Sequence, residues 1–321
     1  MKTFFSDEKF YLPGLFFLMG LVALLCLFLG PTHSLDSFIL TEVRLPRVIL
    51  GMLVGISLAV VGTMFQSLLR NPLADPYVLG TSSGASLGAL LGLHLKNYFP
   101  QGGLFLFYLC IFCGAFGATL LSYAIARSKK QVPITNLVLA GVIVSTLCGA
   151  VIMLIFSLQQ HDSFSIFFFL MGSLQEASWK TIAISSLVSA FSIALSYCYS
   201  KDLDILSLGE EKAFSLGINV EKLKYILFGL GSLMVSATVA LAGSIGFVGL
   251  VVPHIARLMV GPRNKILIVV SAFLGTIILM LADALARTVF RPIEIPVGII
   301  MALLGAPFFL WLLKRKGKVD D

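Results

Sequence analysis

The residues that could perform chemistry are few in this 321-residue chain, and their spacing argues against catalysis. Cys110 and Cys113 form one C-x-x-C pair without a second pair nearby, and all five cysteines fall within apolar runs. We therefore interpret the cysteines as small buried residues. The four histidines are scattered and give no metal-ligand spacing: His33, His94, His161 and His254. We expect no catalytic residue and no metal site, so an enzyme is not a favoured interpretation.

The sequence also offers few residues that could bind a nucleotide or an ion. The chain contains no G-x-x-x-x-G-K-[ST] run, so it is not expected to bind ATP through a P-loop. Asp283 and Arg287 are four residues apart, which is the spacing that brings two side chains together on one helix face. We predict a local ion pair between them. The alternative, that Asp283 is a coupling site for protons or sodium ions, stays open at this point.

Two arginines stand at the start of an apolar run. Arg44 and Arg47 bracket Leu45-Pro46, and a spacing of three places both guanidinium groups on one side of the first helical turn. We expect both side chains to point into water, where arginine suits the carboxylates of a docking partner. A role as an interfacial anchor is the alternative.

One long polar segment, Lys201–Lys224, interrupts the apolar sequence and contains nine charged residues. Glycines divide it into two short helices within about 203–217. The second helix has acidic residues at its N-terminus and Gly217 just past its end, which suits the helix dipole and the C-cap. Ala213, Phe214 and Leu216 give this helix an apolar spot framed by charge. The segment is a candidate docking surface, with a solvated connecting loop as the alternative.

Composition places the chain in a membrane. Hydrophobic residues make up 58% of the chain and charged residues 12%, and the mean hydropathy is +0.99. Soluble domains contain about 25% charged residues, so this chain cannot cover a soluble surface. The net charge of +7 does not indicate nucleic-acid binding, because the basic residues lie at the ends of apolar runs.

The apolar runs predict a single all-α polytopic membrane domain over residues 1–321, since about 20 apolar residues cross a bilayer. Ten spans are expected at about 11–30, 46–69, 77–95, 104–126, 134–157, 180–200, 223–244, 248–260, 266–288 and 296–313. Residues 163–175 are too short to cross and predict an interfacial helix. Gly80, Gly84 and Gly88 recur every four residues and predict close helix packing. Most of the 23 Lys and Arg residues then fall on the side of both termini and of Lys201–Lys224, which predicts that this side is cytoplasmic.

Several runs, taken in order, resemble one family. They include RLPR at 44–47, QSLLRNPLADP at 66–76, LGTSSGA at 79–85, LAG at 139–141, LGEEKAFSLG at 208–217, GFVGLVVPHIAR at 246–257, LADALAR at 281–287, IPVG at 295–298 and GAP at 305–307. From about Arg44 to Leu313 the chain is similar to the FecCD family, the membrane permeases of type II ABC importers for iron–siderophore complexes, heme and cobalamin (vitamin B12).

The resemblance implies a non-enzymatic permease of the cytoplasmic (inner) membrane that works by alternating access. It implies two ABC ATPase subunits, which bind the ATP and Mg, so that this chain itself binds no cofactor. It further implies a periplasmic or lipid-anchored substrate-binding protein and a second copy of the chain or a paralogue. Nucleic acid is not an expected partner. Iron(III)–siderophore is the expected cargo, with heme or cobalamin otherwise, and an ion-coupled secondary transporter is the alternative function.

The resemblance also assigns roles to residues. Coupling helices that contact the ATPase would contain Leu206, Leu208, Gly209, Glu210, Glu211, Ala213, Phe214, Leu216 and Gly217. Docking of the binding protein would fall to Arg44, Arg47 and Arg287. A cytoplasmic gate on the translocation path would consist of Ile134, Thr135 and Asn136. The phenylalanine-rich segment around residues 157–175 carries no ligand-like motif, so the sequence does not name the cargo.

Overall fold

The computed structural model describes residues 8–30, 36–98, 102–127, 133–158, 171–175 and 177–317. These residues form twelve α-helices, and no strand occurs among them. The helices are α1 (Glu8–Phe28), α2 (Leu45–Leu68), α3 (Thr81–Tyr98), α4 (Gly103–Ala126), α5 (Ile134–Leu158), α6 (Trp179–Cys198), α7 (Ser200–Ser207), α8 (Glu210–Ser215), α9 (Val220–Ala242), α10 (Val248–Val260), α11 (Asn264–Thr288) and α12 (Val297–Gly317). A π-helical turn, Ile39–Arg44, runs directly into α2, and a 3-10 turn, Pro76–Leu79, precedes α3.

Helix α2 is the centre of the bundle. It packs against α6, α9, α10 and α11, and its side chains are buried along almost its whole length. Close approach depends on glycine: a Cβ on Gly55 would collide with the backbone of Gly275 in α11, and a Cβ on Gly62 with that of Gly249 in α10. Small residues at such contacts let helix backbones pack closely where lipid supplies no hydrophobic drive between helices.

The predicted glycine ridge on α3 is confirmed at two of its three positions. Gly84 and Gly88 lie against the backbone of α4, where a Cβ on either residue would collide with carbonyl groups of Gly114 and Cys110. Gly80 has a different role. It ends the 3-10 turn with a left-handed φ of 81° and lies near α5, so it shapes the entry to α3 and does not join α3 to α4.

A predicted break between two apolar helices is also present. Helix α9 ends at Ala242, Gly243 has a φ of 69°, and α10 begins after Phe247, whose φ of 68° is unusual for a residue with a side chain. The carbonyl of Ala242 accepts a hydrogen bond from the Ser173 amide at 2.9 Å. The end of α9 therefore gives a backbone acceptor to the chain segment that precedes α6.

Each of the ten apolar segments expected from the sequence coincides with one of these helices to within a few residues. Within the described residues, six helices are long and apolar enough to cross a membrane, and three shorter ones are also apolar. The full set of ten crossings stays a prediction. The interfacial helix expected at 163–175 lies largely outside the described residues, and its described part, 171–175, is irregular chain with turns.

Candidate functional site

The polar segment folds into the two short helices expected from its glycines. Gly209 has a φ of 118° and separates α7 from α8, and Gly217 has a φ of 87° just past the end of α8. Backbone angles in this region strain any residue that has a Cβ. The two glycines therefore set the backbone bends at the start and at the end of α8.

The inner faces of both short helices belong to the core. Leu203, Leu206 and Ala213 are completely buried, in the same apolar cluster as Leu223 and Leu227 of α9. This corrects the expectation that Leu206 and Ala213 lie on the contact surface. Leu203 and Leu206 are three residues apart and share one face of α7, and Ala213 lies on the face of α8 that meets the same core.

The outer faces carry a small apolar patch framed by charge. Leu208, Phe214 and Leu216 are exposed, with Phe214 at 75% of its maximum, and the charged side chains of Glu211 and Lys212 are exposed among them. We call these five residues the α7–α8 surface. An exposed apolar group with a charged rim is typical of a protein contact.

Glu210 fixes this surface to two long helices. Its carboxylate forms an ion pair with Lys224 Nζ of α9 at 3.0 Å and another with Arg70 Nη2, just past the end of α2, at 3.2 Å. Lys224 is buried and also pairs with Glu221. Arg70, Glu210 and their neighbours in α8 line a cleft of about 370 Å³. Arg70 was not anticipated from the sequence, although its place at the end of a span is consistent with such a contact.

A second connection joins α7 to α2 and α11, and we call it the Asn264 junction. The carboxylate Oδ1 of Asp204 accepts hydrogen bonds from both the backbone N–H and the side-chain Nδ2 of Asn264, each at 2.8 Å. Asn264 is the first residue of α11, where helix amides lack partners of their own. Its Oδ1 in turn accepts a hydrogen bond from Ser67 Oγ of α2. No short-range sequence pattern signals this junction, because 60 residues separate Asp204 from Asn264.

The three candidate gate residues begin α5. Thr135 and Asn136 are exposed within the single chain, and the side chain of Ile134 lies outside the described part of the structure. Their exposure leaves both described side chains available to line a path or to meet a second subunit. The gate assignment stays a prediction.

Four charged residues, three of them buried, form a group at the opposite end of the long helices, which we call the Arg47 cluster. Arg47 of α2 contacts Asp283 of α11 through Nη2 at 2.9 Å and Glu294, in the chain before α12, through Nη1 at 2.7 Å. Gln175 Nε2 donates to the same Glu294 oxygen at 3.0 Å. Arg287 Nε pairs with Asp283 Oδ2 at 3.0 Å, so the predicted local ion pair is confirmed.

The expectation that Arg44 and Arg47 point into water is wrong. Arg47 is only 7% exposed and Arg287 only 1%. Arg44 is also buried and donates from Nη1 to the carbonyls of Leu27 and Phe28, both at 3.2 Å. An isolated buried charge is very costly, so guanidinium groups carried into the bundle take carboxylates and helix-end carbonyls as partners. Docking of a binding protein on Arg44, Arg47 and Arg287 stays a prediction, and it would have to act on side chains already held inside the subunit.

Electrostatics favour the ionised form of the carboxylate at the edge of this cluster. Burial raises the pKa of Glu294, but the hydrogen bond and the positive charge of Arg47 outweigh it and hold the pKa below its ordinary value of 4.5. Glu294 and Gln175 were not anticipated from the sequence, because neither is near Arg47 along the chain.

Comparison with known proteins places this geometry in a family. A model described as the FecCD transport family matches residues 9–315. The chain is 40% identical over 278 residues to the cobalamin import system permease protein BtuC of Halobacterium salinarum, covering 87% of this chain and 74% of that protein. It is 39% identical over 306 residues to the hemin transport system permease protein HmuU of Yersinia pestis, covering 93% and 90%.

A solved structure agrees with the sequence matches. A metal-chelate type ABC transporter in an inward-facing conformation superposes with a TM-score of 0.85 at 30% sequence identity, covering 95% of this chain and 99% of that one. Together with the six long apolar helices, these matches identify a multi-pass protein of the cytoplasmic membrane. The chain belongs to the FecCD transport family.

Proposed function

We propose that this chain is the membrane permease subunit of an ABC importer, and that the α7–α8 surface is where a partner ATPase docks. The observation that carries the proposal is the α7–α8 surface itself. Three exposed apolar side chains stand on or just past two short helices, which Glu210 and the Asn264 junction connect to α2, α9 and α11. Such an arrangement presents a fixed contact to a partner and passes the partner's movement to long helices. Family membership favours this function over an ion-coupled secondary transporter.

The working assembly that we propose contains two copies of this chain, or one copy with a paralogue. Two ABC ATPases, which bind the ATP and Mg, contact the α7–α8 surfaces, and a periplasmic or lipid-anchored binding protein contacts the opposite end. All ten apolar helices cross the membrane, and both termini lie on the cytoplasmic side with α7 and α8. The balance of basic residues supports this orientation.

Transport would follow from closure of the ATPases on ATP. The closing pair displaces α8 through Phe214 and Leu216, and α7 moves with it because Leu203, Leu206 and Ala213 pack in one core. Asp204 then transmits the displacement to the start of α11, and Ser67 transmits it to the end of α2. A tilt of these helices opens the central path to one side of the membrane at a time.

The cargo that we propose is an iron(III)–siderophore complex, with heme or cobalamin as the other candidates. The names of the relatives support this group of large chelates and macrocycles, and they do not choose among them. The binding protein of the system should be tested against an iron-loaded siderophore, hemin and cobalamin. Tight binding of hemin or cobalamin with no binding of the siderophore would exclude the proposed cargo and leave the ATPase contact unaffected.

Replacement of Phe214 by Ala tests the ATPase contact. Burying a phenylalanine side chain contributes about 1.5–3 kcal/mol, and most of this side chain is exposed before docking. Its loss should weaken binding of the cognate ATPase by about 2 kcal/mol, which is roughly 30-fold in Kd. Phe290→Ala is the matched control, because Phe290 is 58% exposed but follows α11 at the opposite end.

Binding is measured with the purified permease in nanodiscs and the separately purified ATPase. The melting temperature of the Phe214 variant shows whether it is folded. If the folded variant binds the ATPase with the same Kd as the wild type, the α7–α8 surface is not part of the ATPase contact. An equal decrease in ATPase affinity for Phe290→Ala would mean that loss of any exposed phenylalanine weakens binding. That result would also contradict the assignment.

A further inference from the structure

An apolar groove lies between α4 and α9, outside the surfaces described so far. It has a volume of about 380 Å³ and is bounded mostly by hydrophobic side chains, including Phe116, Leu120, Ile226 and Leu233. Leu120 and Tyr225 on its walls are exposed in the subunit, so the groove is open along one side. The rings of Tyr123 and Tyr225 meet across its end nearest α8, with centroids 6.0 Å apart.

Two basic residues continue the walls of this groove beyond the tyrosine pair. Arg127 follows Tyr123 by four residues at the end of α4, and Lys222 precedes Tyr225 by three residues near the start of α9. Helical spacing of three and four keeps each basic residue on the same face as the wall residues of its helix. Both side chains are exposed.

The charges at this end of the groove leave a net positive site. Glu221 is the acidic residue beside it, and the carboxylate of Glu221 pairs with Lys224 Nζ at 3.2 Å. Neither Arg127 nor Lys222 forms an ion pair with any residue that the structure describes. Two cations beside an open apolar groove therefore have a shared anionic ligand as their natural partner.

The dimensions match one membrane leaflet. Phe116 and Arg127 are eleven residues apart on α4, which is about 16 Å along the helix axis. Half of the hydrocarbon core of a bilayer is about 15 Å thick. Tyrosines typically mark the level of the headgroups, which places the Tyr123–Tyr225 pair at the boundary between acyl chains and water.

We propose that the α4–α9 groove is a binding site for an anionic phospholipid from the leaflet on the α7–α8 side of the membrane. One acyl chain lies in the groove along Phe116, Leu120 and Leu233. The phosphate lies between Arg127 and Lys222. The site shares no residue with the α7–α8 surface assigned to the ATPase.

Quenching of a tryptophan by brominated lipid tests this proposal directly. The chain has two native tryptophans, Trp179 and Trp311, and both are replaced by Phe. Leu120→Trp then places a reporter in the groove, and Leu187→Trp places a control reporter on α6, where Leu187 is 72% exposed. The full-length protein is reconstituted in phosphatidylcholine vesicles containing brominated phosphatidylglycerol or, separately, brominated phosphatidylcholine.

The groove reporter should show a roughly five- to tenfold preference for the anionic lipid, and added salt should reduce this preference. The control reporter should show none. Arg127→Gln with Lys222→Gln should abolish the preference. Lys201→Gln with Arg263→Gln, which removes the same charge from exposed residues of the same end, should retain it.

Two results would overturn the proposal. Equal quenching of the groove reporter by both lipids would mean that lipid enters the groove without recognition of its headgroup. Quenching by neither lipid would mean that protein, such as a second copy of the chain, covers the groove. Both results are measured on the reporter protein that keeps Arg127 and Lys222. The test therefore does not depend on whether the double variants fold.

Discussion

Replacement of Asn264 by Ala should separate ATP hydrolysis from transport. The side chain of Asn264 joins α7 to α11 through Asp204, and joins α11 to α2 through Ser67. Alanine keeps the helix and the backbone hydrogen bond to Asp204, but it removes both side-chain contacts. The α7–α8 surface stays intact in this variant, since none of its five residues is changed.

The size of the effect follows from the two bonds. The bond from Asn264 Nδ2 to the carboxylate of Asp204 involves a charged acceptor and contributes about 1.5–3 kcal/mol. The neutral bond from Ser67 contributes about 0.5–1.5 kcal/mol. Together the two side-chain bonds contribute about 2–4.5 kcal/mol to holding α7 at the ends of α2 and α11 as the ATPases close. Ser67→Ala alone should have the smaller part of this effect.

The assay compares two rates in proteoliposomes that contain the permease, its ATPases and its binding protein. Asn264→Ala should retain most of the ATP hydrolysis, because the ATPase contact is unchanged, while uptake per ATP hydrolysed falls several-fold. The matched control is Ser271→Ala. Ser271 accepts a hydrogen bond from Thr63 at 2.9 Å, so the control removes a bond between α2 and α11 without any contact to α7.

The outcomes separate transmission from stability. Ser271→Ala should lower the melting temperature and leave uptake per ATP unchanged. A similar loss of uptake per ATP in both variants would refute transmission through Asn264, since the loss would follow from weaker packing of α2 against α11. An unchanged ratio in Asn264→Ala would refute it as well. If Asn264→Ala abolishes both ATP hydrolysis and assembly of the permease with its ATPases, Asn264 belongs to the ATPase contact instead.

Two further predictions concern stability. Because Arg47 holds the pKa of Glu294 below 4.5, this pair should stabilise the fold at pH values above about 4.5 and should lose that contribution as the pH falls through the lowered value. Glu294→Gln should therefore lower the melting temperature at neutral pH, and its melting temperature should fall less than that of the wild type as the pH is lowered. An equal fall in both proteins would contradict this. Gly84→Leu should destabilise the chain by about 1–3 kcal/mol or more, since α4 leaves no room for a Cβ. Gly117→Leu on the open face of α4 is its control, and equal losses in melting temperature would count against the packing argument.

The positions of the helices could be predicted because each one needs a long apolar run. In a membrane, every backbone polar group must be satisfied within its own helix, so apolar runs and helices coincide. Glycine breaks could be located for a related reason. At Gly209, Gly217 and Gly243 the backbone adopts positive φ angles that other residues avoid. Apolar runs and glycine positions are both local signals, so they can be recognised without knowing which residues are in contact in the folded chain.

The contacts of the candidate site could not be predicted because they join residues that are distant along the chain. Arg47 meets Asp283 across 236 residues. The sequence shows that Arg47 is charged and lies near the end of a span, and from this position we expected its side chain to be exposed to water. It does not report that a carboxylate lies within reach inside the bundle. The inward side of α8 was also unspecified, because six residues make too short a helix to define an apolar face.

The pairing of α2 with α11 connects the two ends of the molecule. At one end Arg47 contacts Asp283, and at the other end Ser67 contacts Asn264. These residues of α2 are twenty positions apart, about 30 Å along the helix, and a glycine contact and the bond from Thr63 to Ser271 lie between them. Packed helices held at several points move as one body more readily than they slide.

A displacement that enters through Asp204 should therefore reach the Arg47 cluster without any change in the interface between α2 and α11. The cluster continues through Glu294 to Gln175 and to the chain before α12, which are elements outside this helix pair. Buried arginines could then take part in the response to a binding protein without contacting it, because a partner needs only to move Glu294, which is more exposed than the arginines. On this reasoning Glu294→Gln should alter how strongly a binding protein stimulates ATP hydrolysis while leaving the Kd of that protein unchanged. An altered Kd would instead support direct docking on the cluster.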